Sequence, residues 1–318
     1  MLNFYEFFCG GGMARIGLEP DWRCAFANDN DPKKAASYRR VFGARHHLVP
    51  FDVEKVTTSM LPGRADMAWA SFPCQDLSLA GNGAGLRGQR SGTFWPFWGL
   101  IRALRKQRRA PRTIVLENVY GAITSHNGQD LAAIAEAMVE TGYRFGPLLI
   151  DAVHFVPQSR PRLFIVAVDQ RISIPRQLFG AGPMTPWHPE KFSLAYASMS
   201  EVARRNWVWW KLPTPPHRRL KLSDLIEEEP TGVRWHTQLE TARLIRMMSP
   251  INQRKVHEAQ RVRGRIVGTL YRRTRVGLDG VKRQRAEVRF DGVSGCLRTP
   301  IGGSSRQTIL VVERQAVR

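Results

Sequence analysis

The feature that most constrains the fold is a rhythm in residues 1–169, where short apolar runs rich in β-branched and aromatic residues alternate with stretches whose apolar residues recur at helical spacing. The short runs fall at 3–8, 23–28, 67–71, 113–118, 148–151 and 163–168, and the helical patterns at 32–42, 94–108 and 130–141. Alternating strands and helices bury both faces of one sheet, so the pattern predicts an α/β fold on a doubly wound, mostly parallel sheet. After Asp169 the rhythm stops. Prolines 175, 183, 186, 189, 213, 215 and 216, and the tryptophans Trp187, Trp207, Trp209, Trp210 and Trp235, mark a second, smaller and more irregular domain. Strands at 266–270 and 286–290 and a helix at 239–248 are expected within it.

The chain has 318 residues with 43% hydrophobic content, enough to bury a full core. Cys9, Cys24, Cys74 and Cys296 are widely spaced and form no Cys-x-x-Cys, which argues against a disulfide framework or a cysteine-built zinc site and for a reducing cytoplasm. No stretch reaches the roughly 20 apolar residues needed to span a bilayer, and Met1-Leu2-Asn3-Phe4 carries no basic leader, so a soluble protein with no membrane partner is expected. Charge is more informative. With 48 Lys and Arg against 27 Asp and Glu the net charge is +21, and residues 171–318 hold +16 of it. A field concentrated in one half favours a polyanion such as nucleic acid, with a solvated basic surface as the plainer alternative. The densest stretch holds Arg261, Arg263, Arg272, Arg273 and Arg275, interleaved with Tyr271 and few acids.

Several residues stand where strands of such a sheet run out, which is where open α/β sheets bind ligands. Phe8-Cys9-Gly10-Gly11-Gly12 follows the first strand, and its glycines let the backbone approach a nucleotide-like ligand or simply make a tight turn. Asp29 ends the next strand, either as a plain loop acid or about where an acid meets a ribose hydroxyl pair, and Asp52 offers a further acceptor for an exocyclic amine. Pro73-Cys74-Gln75 follows the run 67–72. Cys74 is either a small buried hydrophobe or, at a strand end beside a polar glycine-rich loop with Ser78, Arg87 and Arg90, an accessible nucleophile. Glu117, at the end of a hydrophobic strand, is expected to favour its protonated form and to donate to a ring nitrogen, oriented by Asn118. Arg160 and Arg162, in Gln158-Ser159-Arg160-Pro161-Arg162, serve either in a surface salt bridge or, beside Cys74 and Glu117, as positive charge for an anionic base or its phosphate.

Taken in order, the Phe-x-Gly-Gly-Gly turn, Asp29, Asp52, Pro73-Cys74-Gln75, Glu117-Asn118-Val119, Gln158-x-Arg160-x-Arg162 and Arg289-Phe290-Asp291-Gly292-Val293-Ser294-Gly295 resemble the successive motifs of the DNA cytosine-5 methyltransferase family. The resemblance covers most of the chain. It implies a methyltransferase-type sheet that binds S-adenosyl-L-methionine through Phe8, Gly10, Gly12, Asp29, Asp52 and Pro73. It further implies a catalytic group of Cys74, Glu117, Arg160 and Arg162, with DNA contacts from Ser78, Arg87, Arg90 and the arginines of 261–275. Residues 1–184 would form the catalytic and cofactor domain, 185–285 the target recognition domain and 286–318 a return segment. The implied mechanism adds the Cys74 thiolate to carbon 6 of a cytosine flipped out of duplex DNA, activating carbon 5 for methylation. Such an enzyme belongs to a bacterial restriction-modification system or works alone, and its place is the nucleoid.

Family members usually continue into a helical segment with a Gly-Asn-Ser-like sequence, and nothing after Thr308-Ile309-Leu310-Val311-Val312 resembles it. A truncated chain or a second polypeptide that completes it is therefore expected. Two further readings remain: an RNA cytosine methyltransferase with the same chemistry, and a DNA-binding subunit or remnant without turnover.

Overall fold

The computed structural model describes residues 1–43, 47–73, 93–277, 280–297, 306–313 and 316–317. The chain divides into two compact units, Met1–Ile150 with Arg162–Pro213, and Asp151–Pro161 with Thr214–Arg318.

The first unit is built on a seven-stranded sheet in the order β3-β2-β1-β4-β5-β7-β6. Its strands are β1 (Leu2–Phe7), β2 (Trp22–Asn28), β3 (Leu48–Val49), β4 (Met67–Ala70), β5 (Thr113–Val119), β6 (Tyr143–Asp151) and β7 (Pro161–Asp169). The pairs β3/β2, β2/β1, β1/β4 and β4/β5 are parallel, whereas β7 runs antiparallel to β5. Connections run through α1 (Met13–Leu18), α2 (Pro32–Phe42), α3 (Phe94–Lys106) and α4 (Gln129–Glu140). The sequence dictates α2 at both ends. Asp31 caps it by accepting from the Lys33 and Lys34 amides, Pro32 opens it, and Gly43 at φ 80° closes it. In α3, Phe94, Phe97, Trp98, Ile101 and Leu104 are buried at helical spacing, and they pack on Phe7, Phe72 and Tyr143 in the main core.

On the other face, Phe4, Cys24, Ala27, Met67 and Val115 make a smaller core under Tyr38 of α2. The proline- and tryptophan-rich stretch belongs to this unit as far as Pro213. It forms β8 (Phe179–Gly180), α5 (Glu190–Ser198), α6 (Glu201–Arg205) and β9 (Trp209–Trp210), and it lays Trp187, Val208 and Trp210 over Leu148. A Cβ on Gly146 would stand 1.9 Å from the Val208 carbonyl, so only glycine allows this approach.

The second unit contains α7 (Gln238–Arg246), α8 (Pro250–Arg261) and a four-stranded antiparallel sheet in the order β11-β10-β12-β13. These strands are β10 (Arg265–Val276), β11 (Lys282–Arg289), β12 (Thr308–Glu313) and β13 (Ala316–Val317). What reads as irregular in the sequence is thus an ordered hairpin sheet. Met248, Val256, Leu270, Ala286, Val288 and Leu310 form its core, and the expected strands at 266–270 and 286–290 are the buried ends of longer ones. Among the described residues no helix is long and apolar enough to cross a membrane.

Candidate active site

Because β2, β1, β4 and β5 are parallel neighbours, their carboxyl ends share one edge of the sheet, with Phe7 opposite Asn28 and Ala70, and Ala70 opposite Leu116. The turn after β1 is held by backbone bonds from Cys9 N to Asn28 O (2.9 Å) and from Gly12 N to Cys9 O (2.8 Å). It carries positive φ at Phe8 (56°), Gly10 (56°) and Gly12 (83°). At Phe8 this is a strained conformation for a residue with a side chain. A Cβ on Gly12 would lie 2.2 Å from Phe42 Cε2, so the position is closed to any other residue, whereas a Cβ on Gly10 would meet nothing within 4 Å, so the backbone there faces open space.

Asp29 is 4% exposed and works inside this turn. It accepts from Gly10 N and Asp31 N, both at 2.9 Å, with Lys34 Nζ at 3.9 Å. Each carboxylate oxygen keeps a second acceptor site, so the clamp leaves capacity for a ligand hydroxyl. Asp52 is drawn to the same edge by asparagines that sequence reading passed over. Asn28 Nδ2 donates to Val49 O at 3.0 Å and Phe51 O at 2.8 Å, and Asn30 Nδ2 donates to Asp52 Oδ2 at 3.0 Å. The available signal was a polar run, Asn28-Asp29-Asn30-Asp31, set directly on a buried strand.

Glu6 is a second residue missed in sequence. It is 1% exposed, in mid-strand beneath the turn, where it accepts from the Arg15 backbone N–H while its Oε2 has no partner. Burial pushes its carboxyl up to about 7, with Asp29 and Glu19 adding repulsion against the partial relief from Arg15. A lone acid in Leu2-Asn3-Phe4-Tyr5-Glu6-Phe7-Phe8 is the trace it leaves. Burial also raises both neighbouring thiols, Cys9 and Cys24, the latter to about 11. These two cysteines are inert core groups.

At the end of β4, Phe72 is buried and Pro73 half-buried, and Asn118 Nδ2 donates to the Phe72 carbonyl at 3.3 Å while its Oδ1 accepts from Val119 N at 2.8 Å. Asn118 therefore ties the segment leading into Cys74 to the end of β5. It does not orient Glu117, as the sequence suggested. Glu117 is met instead by Arg162 Nε at 3.0 Å, across the antiparallel β5/β7 pair in which Val119 faces Arg162. The side chains are 23% and 18% exposed, so the carboxyl expected to be a free donor is engaged by a cation on the rim of the sheet. Cys74, Ser78, Arg87 and Arg90 lie outside the described residues.

Arg160 is placed differently from Arg162. Within the second unit its Nη1 donates to Cys296 Sγ and to Leu297 O, both at 3.3 Å, and its backbone N–H donates to Asp151 Oδ1 at 2.6 Å, so it fastens the segment around Ser294. In that segment Ser159 N donates to Ser294 O and Ser294 N to Pro157 O.

The arginines of the basic stretch separate by element. Arg261 ends α8 and Arg263 follows it, both exposed. Arg272, Arg273 and Arg275 stand on the exposed half of β10, where Arg273 faces Arg285 and Arg275 faces Arg283 across the hairpin. Glu287 is the acid within this group, accepting from Tyr271 Oη at 2.7 Å and Arg275 Nε at 2.6 Å. Like charges directly opposite in a hairpin cost stability, so four arginines on one face suit a polyanion.

A family model described as C-5 cytosine-specific DNA methylase matches residues 2–287. Among curated proteins the chain is similar to the type II methyltransferase M.MspI of Moraxella sp, 34% identical over 168 residues that cover 52% of this chain and 38% of that protein. It is also similar to M.BsuFI of Bacillus subtilis, 30% identical over 54% of this chain and 41% of that protein. The chain thus spans about two fifths of the length of these relatives. Among solved structures, a mutant of Spodoptera frugiperda DNMT2 aligns over 72% of this chain and 61% of its own, with a TM-score of 0.50 and 18% identity, a likeness in fold.

Proposed function

Since the chain belongs to the C-5 cytosine-specific DNA methylase family, whose members use S-adenosyl-L-methionine as methyl donor, we propose that it methylates carbon 5 of cytosine at a specific sequence in duplex DNA. The observation that carries this reading is the knot at the ends of β4 and β5. There Asn118 holds the Phe72 carbonyl, two residues before Cys74, beside the Glu117–Arg162 pair.

The turn after β1 fits the donor by its chemistry. The space above Gly10 is open, and Asp29 and Asp52 at the adjoining strand ends provide acceptors for the ribose hydroxyls and an exocyclic amine. When bound, S-adenosyl-L-methionine supplies an electrophilic methyl group. Everything else falls to side chains. The Cys74 thiolate adds to carbon 6 of the flipped base, forming the C–S bond and pushing the ring electrons toward carbon 5. Glu117, on this reading protonated in the complex, donates at ring nitrogen 3, and Arg162, released from the ion pair, turns toward the base carbonyl oxygen. Once carbon 5 carries the methyl group, its proton passes to solvent, the thiolate leaves, and nitrogen 3 returns its proton to Glu117 as the aromatic ring is restored. Arg160 acts at one remove, holding the Ser294 segment.

The arginine face of β10 and β11, with Arg261 and Arg263, is the proposed grip on the DNA backbone. Ser78, Arg87 and Arg90 are proposed to meet the DNA beside the flipped base. We further propose that a second polypeptide segment covers α1, whose Met13 and Ile16 are 74% and 50% exposed. Bisulfite sequencing of DNA from cells carrying the gene in its native surroundings is expected to show protected cytosines in one recurring sequence context. Complete conversion of every such cytosine would refute the enzymatic reading, and methylation by the purified chain alone would refute the need for a second segment.

A further inference from the structure

Away from the catalytic edge, the first unit holds a cavity of about 340 Å³ whose lining includes Arg144, Phe179, Tyr196, Arg205, Trp207 and Trp209. It lies at the opposite end of the sheet from Glu117. Arg144 sits at the start of β6 and donates to Ile172 O, just beyond the end of β7, and β7 runs antiparallel to β5 with Val168 beside Thr113. The walls are aromatic. Tyr196 and Trp209 have ring centroids 5.6 Å apart, Trp207 and Trp209 5.3 Å, and Phe179 is 40% exposed at the rim.

Such rings would be expected to enclose an apolar or cationic guest, but the charged side chains here are guanidiniums. Among the described residues Arg144 has no carboxylate partner, and Arg205 shares only the exposed Glu201 on α6.

We propose that this cavity seats one unpaired nucleotide, its base stacked on the Tyr196, Trp209 and Phe179 rings and its phosphate held by Arg144 and Arg205. The volume is at the small end of the roughly 300–1,000 Å³ of ligand pockets, which suits a mononucleotide. A nucleotide combines the two features the lining asks for, a planar ring and an anion, in a chain whose net charge of +21 favours polyanions. The chemistry is shared by a free nucleotide and by an unpaired nucleotide within a strand. The site does not depend on the proposed methylation, since it lies at the other end of the sheet.

The test is calorimetric titration of the full chain with dTMP and with a ten-residue thymidine strand, in wild type and in the surface variants Phe179→Ala and Arg205→Gln. Thymidine and inorganic phosphate serve as half-ligands. The expected result is that both variants weaken binding at least fivefold and each half-ligand binds at least tenfold more weakly than dTMP. If variant-sensitive binding appears with dTMP the source is a free nucleotide, and if it appears only with the strand the source is an unpaired stretch of nucleic acid. Binding of both ligands that neither variant changes, or no binding of either, would overturn the proposal.

Discussion

Gly12 shows how little freedom the turn after β1 has. With φ at 83° and Phe42 Cε2 standing 2.2 Å from where a Cβ would be, Gly12→Ala combines left-handed strain with overpacking, each about 1–3 kcal/mol. Gly11, whose added Cβ would rest 3.7 Å from Ser37 Oγ, is the internal control. Denaturant unfolding should show a loss of about 2–6 kcal/mol for Gly12→Ala and under about 1 kcal/mol for Gly11→Ala. Equal losses would contradict the account of the turn. Glu6 makes a pH-dependent prediction in the same place. Its folded carboxyl titrates near 7, above the ordinary value near 4.5, so its contribution is fully present below about pH 4.5 and is lost as pH rises through 7. Relative to Glu6→Gln, the wild type should therefore lose stability of order 3 kcal/mol between pH 4.5 and 8. Parallel pH profiles of the two proteins would contradict the burial of a neutral acid. Asp29 and Asp52 were legible in the sequence because each acid ends an apolar run. Glu6 was not, because nothing local distinguishes an acid that faces the core from one that faces water.

Among the elements, the β10–β11 hairpin carries the clearest conflict between stability and use. Arg273 opposite Arg285 costs roughly 0.2–1 kcal/mol relative to a neutral pair. The double variant Arg273→Gln/Arg285→Gln should be slightly more stable than wild type. It should also bind duplex DNA more weakly, with the slope of log affinity against log salt shallower by about 2. An unchanged slope would mean that this face does not touch phosphate. The same hairpin explains what sequence reading missed. Its exposed half, Arg272 to Val276, shows no apolar alternation, so only the buried end announced itself as strand. Likewise β6 begins at Tyr143, five residues before its apolar run at Leu148, because Gly146 and Pro147 read as breakers where the chain needs glycine to pass under Val208. By contrast α2 was legible to the residue, since Asp31, Pro32 and Gly43 state its ends chemically.

For the whole molecule, the order of motifs carries more than any one of them. A glycine turn, an acid at each of two strand ends, and Glu117 beside Asn118 are each compatible with many α/β proteins. Placed on parallel neighbours of one sheet they converge on a single edge, where Asn118 draws the approach to Cys74 against the β5 end. The charge is distributed to match, with +16 of the +21 in residues 171–318. The central claim is that Cys74 forms a covalent bond to the cytosine ring. The most direct measurement is incubation of an extract of cells carrying the tagged gene in its native surroundings with donor and a duplex carrying 5-fluorocytosine at the methylated position, followed by denaturing electrophoresis of the tagged chain. Wild type should give a protein–DNA adduct that survives denaturation and Cys74→Ser none, whereas an adduct formed equally by both would contradict the claim.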